Sequence, residues 1–216
     1  MRKVEMLPVE SVRPNSWNVN ILRRREFASL KEEMKALGPE RAQPIVVRRI
    51  GDGAWEIVDG EQRWKIAKQL GWKRIPAIEV EVDRKEAKLL CFDFNDLRGV
   101  IDFVKLSEIL QTDQEMVEVV TRVLGRKVAE ALIEAGKKLT EDAKKTLREG
   151  LQEGTDIDVA KIAAVAEVPQ HLQYIAAKAA TTTTLNIEFI KASVEPFLKR
   201  EEEEIMKSRG PKKGSS

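Results

Sequence analysis

Cysteine and histidine are nearly absent from this sequence of 216 residues, which contains Cys91 and His171 as the single residues of their kinds. One cysteine cannot form an intramolecular disulfide. A chain with one cysteine and one histidine also excludes multi-cysteine metal centres and most histidine-based ones. The chemistry left to the chain is that of carboxylates, lysine, arginine, amides and the backbone, the groups that proteins use to hold phosphates.

Long apolar runs and a surplus of one charge are absent too. No window approaches the roughly 20 apolar residues of a membrane-spanning helix, and the first residues, Met-Arg-Lys-Val-Glu, lack the apolar core of a signal peptide. We therefore expect a cytoplasmic protein with no membrane partner. The 38 basic and 36 acidic residues leave a net charge of +2, so attraction of polyanions by bulk charge is excluded and any anion site must be local.

The two halves of the chain have different patterns. All four tryptophans lie in the first 72 residues, where strand and helix signals alternate, whereas from residue 101 the apolar spacing predicts only helices. The predicted strands are 4–8, 43–49, 54–58 and 75–82, and the predicted helices of the first half are 24–37, 61–70 and 84–95. This pattern predicts an α+β fold with a domain over 1–100 that combines a small mixed sheet with helices, an all-α domain over 101–204, and a disordered basic tail over 205–216.

The most informative segment is Asp59-Gly60-Glu61-Gln62-Arg63, where a strand turns tightly into a helix. Free N–H groups at such a helix start, with the positive end of the helix dipole, predict an anion pocket. Arg63 can add a bidentate contact to a phosphate. Asp59 or Glu61 could hold a metal or act as general base. Without any ligand, Asp59 is explained as an N-cap and Glu61 as a first-turn acid, each stabilising the helix by about 0.5–2 kcal/mol or less.

The motifs around this turn resemble, in type and in order, the N-terminal domain of the partition protein ParB and its superfamily, which includes sulfiredoxins and a branch that phosphorylates free serine. The matching motifs are Arg13-Pro14-Asn15, Gly38 followed by Gln43-Pro44, and the box Gly60-Glu61-Gln62-Arg63, within about residues 4–100. The resemblance implies a ParB/sulfiredoxin-like domain that binds a nucleotide, with CTP favoured and ATP or ADP as alternatives. It implies that the nucleotide is held by Gln43, Gly60, Glu61, Gln62, Arg63, Asn95 and Arg98.

The sequence departs from the family pattern at three places. The first Arg of the box is Gln62, which removes one charged phosphate ligand. The acid of the family's Glu-Asn pair is Phe94, which leaves a Mg²⁺ site unassigned unless Asp93 or Asp96 replaces it. The opening turn reads Trp17-Asn18-Val19-Asn20 in place of the family's Gln-Pro-Arg. Sulfiredoxin chemistry is not expected, because the reactive cysteine of that branch lies in the phosphate turn and Cys91 falls in a predicted helix.

Two segments are candidates for binding DNA. Residues 103–122 have the apolar spacing of a helix-turn-helix, but its second helix carries three acids before its single base, and acids that face phosphates repel them. A purely packing role for that helix therefore remains open. The run Arg23, Arg24 and Arg25 is the better electrostatic candidate, beside its alternative role as a solvated face.

The sequence leaves three functions open. The resemblance implies a ParB-like, nucleotide-dependent, DNA-binding homodimer that acts in plasmid or chromosome partition or in DNA-linked regulation. The alternative is an enzyme of the same fold, either a CTPase-like hydrolase or a phosphotransferase or nuclease, with Asp59 and Glu61 as catalytic residues. The third is a scaffold whose ancestral pocket has decayed, which Gln62 and Phe94 would explain.

Overall fold

The computed structural model describes residues 3–51, 53–96, 100–182 and 187–208. Within these ranges the strands are Val4–Pro8 (β1), Val12–Arg13 (β2), Asn20–Ile21 (β3), Ile45–Arg49 (β4), Trp55–Asp59 (β5), Arg74–Glu79 (β6) and Val100–Ile101 (β7). The helices are Arg24–Leu37 (α1), Glu61–Gln69 (α2), Arg84–Asp96 (α3), Phe103–Ile109 (α4), Gln114–Val123 (α5), Arg126–Lys138 (α6), Glu141–Glu153 (α7), Val159–Glu167 (α8), Gln173–Thr182 (α9) and Ile187–Ser208 (α10). The predicted α+β class, with mixed elements first and helices after them, is confirmed.

A five-stranded sheet organises the first half, in the order β1-β6-β4-β5-β2. The central strand β4 runs parallel to β6 and antiparallel to β5, so the sheet is mixed, as predicted. Ile45 and Val47 alternate on the buried face of β4 and meet Ile57, Ile66 and Ile75 in a core where each is at most 1% exposed. Each such side chain contributes about 1.5–3 kcal/mol by burial, and together they fix β5 and α2 around the turn that joins them.

A small second sheet links the two halves of the sequence. β3 pairs antiparallel with β7, so that Asn20 lies opposite Ile101. The strand β7 was not predicted, because a two-residue strand is too short to show alternation. After Ile101 the described ranges contain helices and no further strand, as predicted. A second core also crosses residue 100, since Trp17 and Phe92 pack in one cluster with Leu106. The division into domains 1–100 and 101–204 stays a prediction.

The helices after α4 enclose a third core, which includes Leu147, Leu151, Ile162 and Val165. Side-chain caps define several of their starts: Asp102, Asp113, Thr140 and Asp158 accept hydrogen bonds from backbone N–H groups of the first turns. These local signals explain why the sequence pattern predicts helices in this half of the chain.

The last helix continues beyond its predicted end. The expected disordered tail over 205–216 was wrong for 205–208, which belong to α10. The glutamates before them are good helix formers and extend the helix without apolar content. Residues 209–216 lie outside the described part. In the ranges that the structure describes, no helix is both long enough and apolar enough to span a bilayer.

Candidate functional site

The turn between β5 and α2 is built around Gly60. This residue is the N-cap of α2 and has the left-handed backbone conformation φ 95°, ψ 25°, which glycine adopts without steric cost. A Cβ at this position would lie 2.7 Å from Arg63 Nη2 and 2.8 Å from Ile45 Cγ2. The backbone therefore approaches its neighbours so closely that only glycine fits, and α2 begins directly after it with the N–H groups that have no acceptor within the helix.

Arg63, one turn into α2, is held from two sides. Its Nη2 donates to Asp59 Oδ2 at 3.0 Å, and its Nη1 donates to Gln43 Oε1 at 3.2 Å. Its Nε is buried and has no hydrogen-bond partner among the described residues. Predicted site residues Gln43, Asp59, Gly60 and Arg63 are thus brought together, and the guanidinium keeps an unused buried donor of the kind that an anion would satisfy.

Glu61 is also engaged by neighbours. Its Oε1 is 2.6 Å from Lys65 Nζ, one turn further along α2, and its Oε2 accepts a hydrogen bond of 2.6 Å from Asn18 Nδ2. Both carboxylates predicted to be catalytic, Asp59 and Glu61, therefore contact a cation in this structure. A catalytic role for either stays a prediction.

Two neighbouring cavities open at this turn. The first, here called the cradle cavity, has a volume of about 130 Å³. The second, the interface cavity, has a volume of about 370 Å³ and lies between α1, α2 and the helices of the second half. They share Asn20, Leu22 and Gln62. The cradle cavity is also lined by Asn18, Leu30, Val58, Asp59, Gly60, Glu61 and Arg63. The interface cavity is also lined by Ile21, Arg24, Phe27, Lys65, Asp102, Lys105 and Gln152.

Three lining residues were missed by the sequence interpretation as site residues. Lys105, in the first turn of α4, donates from Nζ to the backbone oxygen of Asn18 at 2.8 Å. Asn20 Oδ1 is buried without a hydrogen-bond partner in the described part of the chain. Asn18 and Asn20 were noted only as a departure from the family pattern, and Lys105 lies beyond the predicted domain boundary. The polar character of the 18–20 segment was the available signal.

Asp102 is the carboxylate that lines the interface cavity. Its Oδ1 accepts a hydrogen bond from the backbone N–H of Lys105 and caps α4. Burial raises the pKa of Asp102 above its usual value, although the Lys105 N–H bond and the charge of Arg148 oppose this effect. The cavity therefore contains a carboxylate whose charged form is disfavoured, opposite several cations.

The remaining predicted ligands cannot be placed. Arg98 lies outside the described residues, and Asn95 belongs to α3 while its side chain falls outside the described part. Gln62 lines both cavities, so its amide is available to a ligand in either. No group of three His, Cys, Asp or Glu side chains that could hold a metal is found where the structure describes the chain. A Mg²⁺ site therefore stays unassigned.

The three arginines predicted to bind DNA lie at the start of α1. Arg23 Nη2 is 2.9 Å from Asp156 Oδ1, and Arg24 Nη1 is 2.7 Å from Glu153 Oε1. These pairs connect α1 to the end of α7 and the loop after it. Two of the three charges are therefore already matched by carboxylates, which weakens the basis for the prediction that this run contacts DNA.

The acids of α5 have a structural partner. Lys88 of α3, only 1% exposed, places its Nζ 2.7 Å from Asp113 Oδ1 and 2.6 Å from Glu115 Oε2. Lys85 pairs with Glu118 on the same face. Burial would raise the pKa of Asp113, but hydrogen bonds from Lys88 and the Met116 N–H outweigh it and the pKa is lowered. The three acids that argued against DNA binding thus hold α5 against α3.

The structure thus combines a mixed sheet followed by helices with a glycine turn between β5 and α2 and with Arg63 in the wall of the cradle cavity. The sequence model of the ParB N-terminal domain family matches residues 1–91. The first half of this chain is therefore a ParB-type N-terminal domain, and the resemblance noted in the sequence is confirmed.

Relatives with the same domain include chromosome-associated proteins. The chain is 31% identical over 123 residues to the nucleoid occlusion protein of Geobacillus kaustophilus, a match that covers 52% of this chain and 42% of the relative. It is 31% identical over 121 residues to the chromosome-partitioning protein ParB of Myxococcus xanthus, covering 52% and 40%. The matched region thus spans about two fifths of the length of these curated relatives.

A similarity is also found to a solved structure. C-terminally truncated ParB from Caulobacter crescentus, complexed with CTP-γ-S, aligns with a TM-score of 0.39 at 20% identity, covering 82% of this chain and 98% of that one.

Proposed function

We propose that this chain is a ParB-like protein that binds CTP at the β5–α2 turn and acts on DNA in partition or in DNA-linked regulation. The observation that carries the proposal is the left-handed Gly60 turn, which opens on the cradle cavity. Beside it lies the buried Nε of Arg63, for which the described residues provide no hydrogen-bond partner. A helix start, whose first N–H groups have no acceptor within the helix, and an arginine one turn inside together favour a phosphate through the helix dipole and through hydrogen bonding.

We favour CTP over ATP or ADP as the ligand, because the box Gly60-Glu61-Gln62-Arg63 is similar to the box that binds the CTP phosphates in partition proteins. The cradle cavity of about 130 Å³ is smaller than the roughly 300–1,000 Å³ of typical small-molecule sites. With the interface cavity of about 370 Å³ beside it, the available space is sufficient for a nucleotide. Both the phosphates and the nucleoside then have room next to the turn.

The DNA-contacting element that we favour is the pair α5–α6. These helices pack on each other and are joined by Leu124-Gly125, where Gly125 has φ 93°. Two helices connected by a short turn with glycine are the arrangement of a helix-turn-helix. The first turn of α6 exposes Lys127 and Arg126, whereas α5 is occupied by its ion pairs to α3. Arg126 Nε is 2.8 Å from Glu130 Oε1 of the same helix, an exposed pair that contributes at most about 1 kcal/mol and that a DNA phosphate can replace. The prediction of a helix-turn-helix over 103–122 placed the DNA-contacting helix at α5. The present assignment places it at α6.

The proposed role in partition or DNA-linked regulation is taken from the names of the relatives. These are a nucleoid occlusion protein and a chromosome-partitioning protein, each more than twice as long as the region that matches this chain. A homodimer and a cytoplasmic location belong to the same proposal. Sedimentation of the chain with and without CTP tests the dimer.

Calorimetric titration with CTP, ATP and ADP tests nucleotide binding directly. The wild-type chain should bind CTP most tightly, and Arg63→Ala should lose at least tenfold in affinity, because a charge-assisted hydrogen bond contributes about 1.5–3 kcal/mol. Arg25→Ala is a matched control, since Arg25 is exposed on α1 and lines neither cavity. Binding of no nucleotide, or full affinity in Arg63→Ala, would refute the proposal.

The enzyme alternative is tested in the same preparations. Asp59→Asn and Glu61→Gln keep the shape of each side chain and remove its charge. Release of phosphate from CTP that either change abolishes, with CTP still bound, would support a hydrolase. Phosphate release that continues unchanged in both variants would exclude the two carboxylates as catalytic residues.

DNA binding is measured by fluorescence anisotropy with a labelled duplex of at least 20 base pairs at two salt concentrations. Arg126→Ala with Lys127→Ala should weaken binding and reduce its salt dependence, because each lost phosphate contact lowers the number of counterions released. Arg23→Ala with Arg24→Ala is the comparison. If that pair weakens binding more than the α6 pair does, the arginine run and not α6 contacts DNA.

A further inference from the structure

The phosphate box of this chain lacks one arginine, at Gln62, and a cation from another part of the chain lies near the vacant position. Gln62 lines both the cradle cavity and the interface cavity. Lys105 lines the interface cavity, and its Nζ donates to the backbone of Asn18, which lines the cradle cavity. Lys105 therefore belongs to α4 in sequence but contributes its charge at the junction of the two cavities.

The charges of the interface cavity favour an anion. Arg24, Lys65 and Lys105 line it, against the single carboxylate of Asp102. Arg24 is paired with Glu153 and Lys65 with Glu61. Lys105 has no ion pair within 4.0 Å among the residues that the structure describes, and an ammonium group has three donors, of which Asn18 takes one.

Two buried polar atoms at the junction of the two cavities also favour a bound ligand. Arg63 Nε is a buried donor without a partner, and Asn20 Oδ1 is a buried acceptor without one, each within the described part of the chain. Buried polar atoms in native proteins are normally satisfied, and a bound ligand is one way to satisfy them. The cradle cavity and the interface cavity meet at Asn20, so one ligand that crosses the junction can reach both atoms.

We infer that Lys105 is a phosphate-binding residue that supplies, from α4, the positive charge that Gln62 does not supply from the box. This inference rests on the nucleotide-binding function proposed above. The distal phosphates of the nucleotide extend from the Gly60 turn into the interface cavity, where Lys105 Nζ donates to them. The α-phosphate stays at the turn, within reach of Arg63.

The test is calorimetric titration of the full chain with CTP, CMP and inorganic triphosphate. Lys105→Gln should lower the affinity for CTP and for triphosphate roughly ten- to hundredfold, as expected for a lost charge-assisted hydrogen bond. The affinity for CMP should change less than threefold. Lys105→Arg should keep most of the CTP affinity. Lys178→Gln removes the same charge from α9, where Lys178 lies over Tyr174 and lines neither cavity, and should have no effect.

Restoring the charge within the box gives the decisive comparison. Gln62→Arg combined with Lys105→Gln should recover at least half of the lost binding free energy, because either residue can neutralise the same phosphates. Circular dichroism melting verifies that every variant is folded. If Lys105→Gln itself fails to fold, the inference is judged on two other variants. Lys105→Arg should keep most of the CTP affinity, and Gln62→Arg should bind CTP at least as tightly as wild type; a tenfold loss of affinity in either variant overturns the inference.

The outcomes separate the two proposals. Unchanged CTP affinity in Lys105→Gln, with affinity lost in Arg63→Ala, overturns the role of Lys105 and leaves nucleotide binding intact. Equal losses for CTP and CMP overturn the assignment to distal phosphates. If the wild-type chain binds neither CTP nor triphosphate, the proposed function and this inference fail together.

Discussion

Replacement of Gly60 by alanine should damage both stability and nucleotide binding. A residue with a Cβ at φ 95° costs roughly 1–2 kcal/mol in the left-handed region. The added Cβ would also lie within 2.8 Å of Ile45 Cγ2 and 2.7 Å of Arg63 Nη2, and overpacking of this kind costs about 1–3 kcal/mol. The reduced entropy of the unfolded chain returns about 0.4–1 kcal/mol. The net expectation for Gly60→Ala is a loss of about 1–5 kcal/mol in the free energy of unfolding.

Gly71→Ala is the matched control at the other end of α2. Gly71 also has a positive φ, 70°, but a Cβ there would meet nothing within 4 Å. It should therefore show the backbone cost without the overpacking cost, and it should not alter CTP affinity. Urea unfolding followed by tryptophan fluorescence gives the free energies, and calorimetry gives the affinities. If Gly60→Ala is no more destabilising than Gly71→Ala and binds CTP normally, the close-fitting turn is not a phosphate cradle.

Three further predictions concern charged groups that connect the two halves of the sequence. Lys88→Met should destabilise the protein by about 2–4 kcal/mol in urea unfolding, because it breaks a buried pair whose acids are only partly rehydrated. Lys85→Met breaks an exposed pair and should cost at most about 1 kcal/mol. Equal effects of the two substitutions would contradict this ranking. Because the pKa of Asp113 is lower in the folded protein than in the unfolded chain, its ionised carboxylate stabilises the fold above the unfolded pKa, and this stability is lost as the pH falls through the folded pKa. Between pH 5 and pH 2 the melting temperature should therefore fall less for Lys88→Met than for wild type. The pKa of Asp102 is raised, so its cost to stability is absent at low pH and grows as pH rises through the folded pKa. Asp102→Asn, which retains a capping oxygen, should therefore gain stability relative to wild type between pH 3 and pH 7, and a constant difference across that range would refute the assignment.

The sequence located most of the fold because its signals are local. Val4–Pro8 and Arg24–Leu37 have the predicted bounds, since alternation, helical spacing and a terminal glycine are all visible within each segment. The Gly60 turn was recognisable for the same reason, as strand, glycine and helix follow one another directly. The strands β3 and β7 were not recognisable, because each consists of two residues and exists only by pairing with the other across about 80 positions.

The site could be predicted only as far as it is local. Asp59, Gly60 and Arg63 lie within five consecutive positions, so their proximity follows from the strand, turn and helix that succeed one another there. Asn18 and Lys105 join them through β3–β7 pairing and the packing of α4, which no spacing in the sequence expresses. The ion pairs could not be predicted either, because they join residues that are distant in sequence. The sequence suggested Arg23 and Arg24 as DNA ligands, but their carboxylate partners lie more than 120 positions further along the chain.

The nearly equal numbers of basic and acidic residues allow extensive pairing between the two halves of the sequence. Basic residues of α1 and α3 face acidic residues of α5, α7 and the loop after α7, so charges that are separate in sequence neutralise each other in space. Exposed pairs contribute at most about 1 kcal/mol each, so the buried Lys88 pairs and the core around Trp17 carry most of the connection between the halves. Lys105 lines the interface cavity at that boundary and has no ion pair within 4.0 Å in the ranges that the structure describes. We expect its charge to be matched by a phosphate, because the other two cations of the cavity, Arg24 and Lys65, are already paired with Glu153 and Glu61.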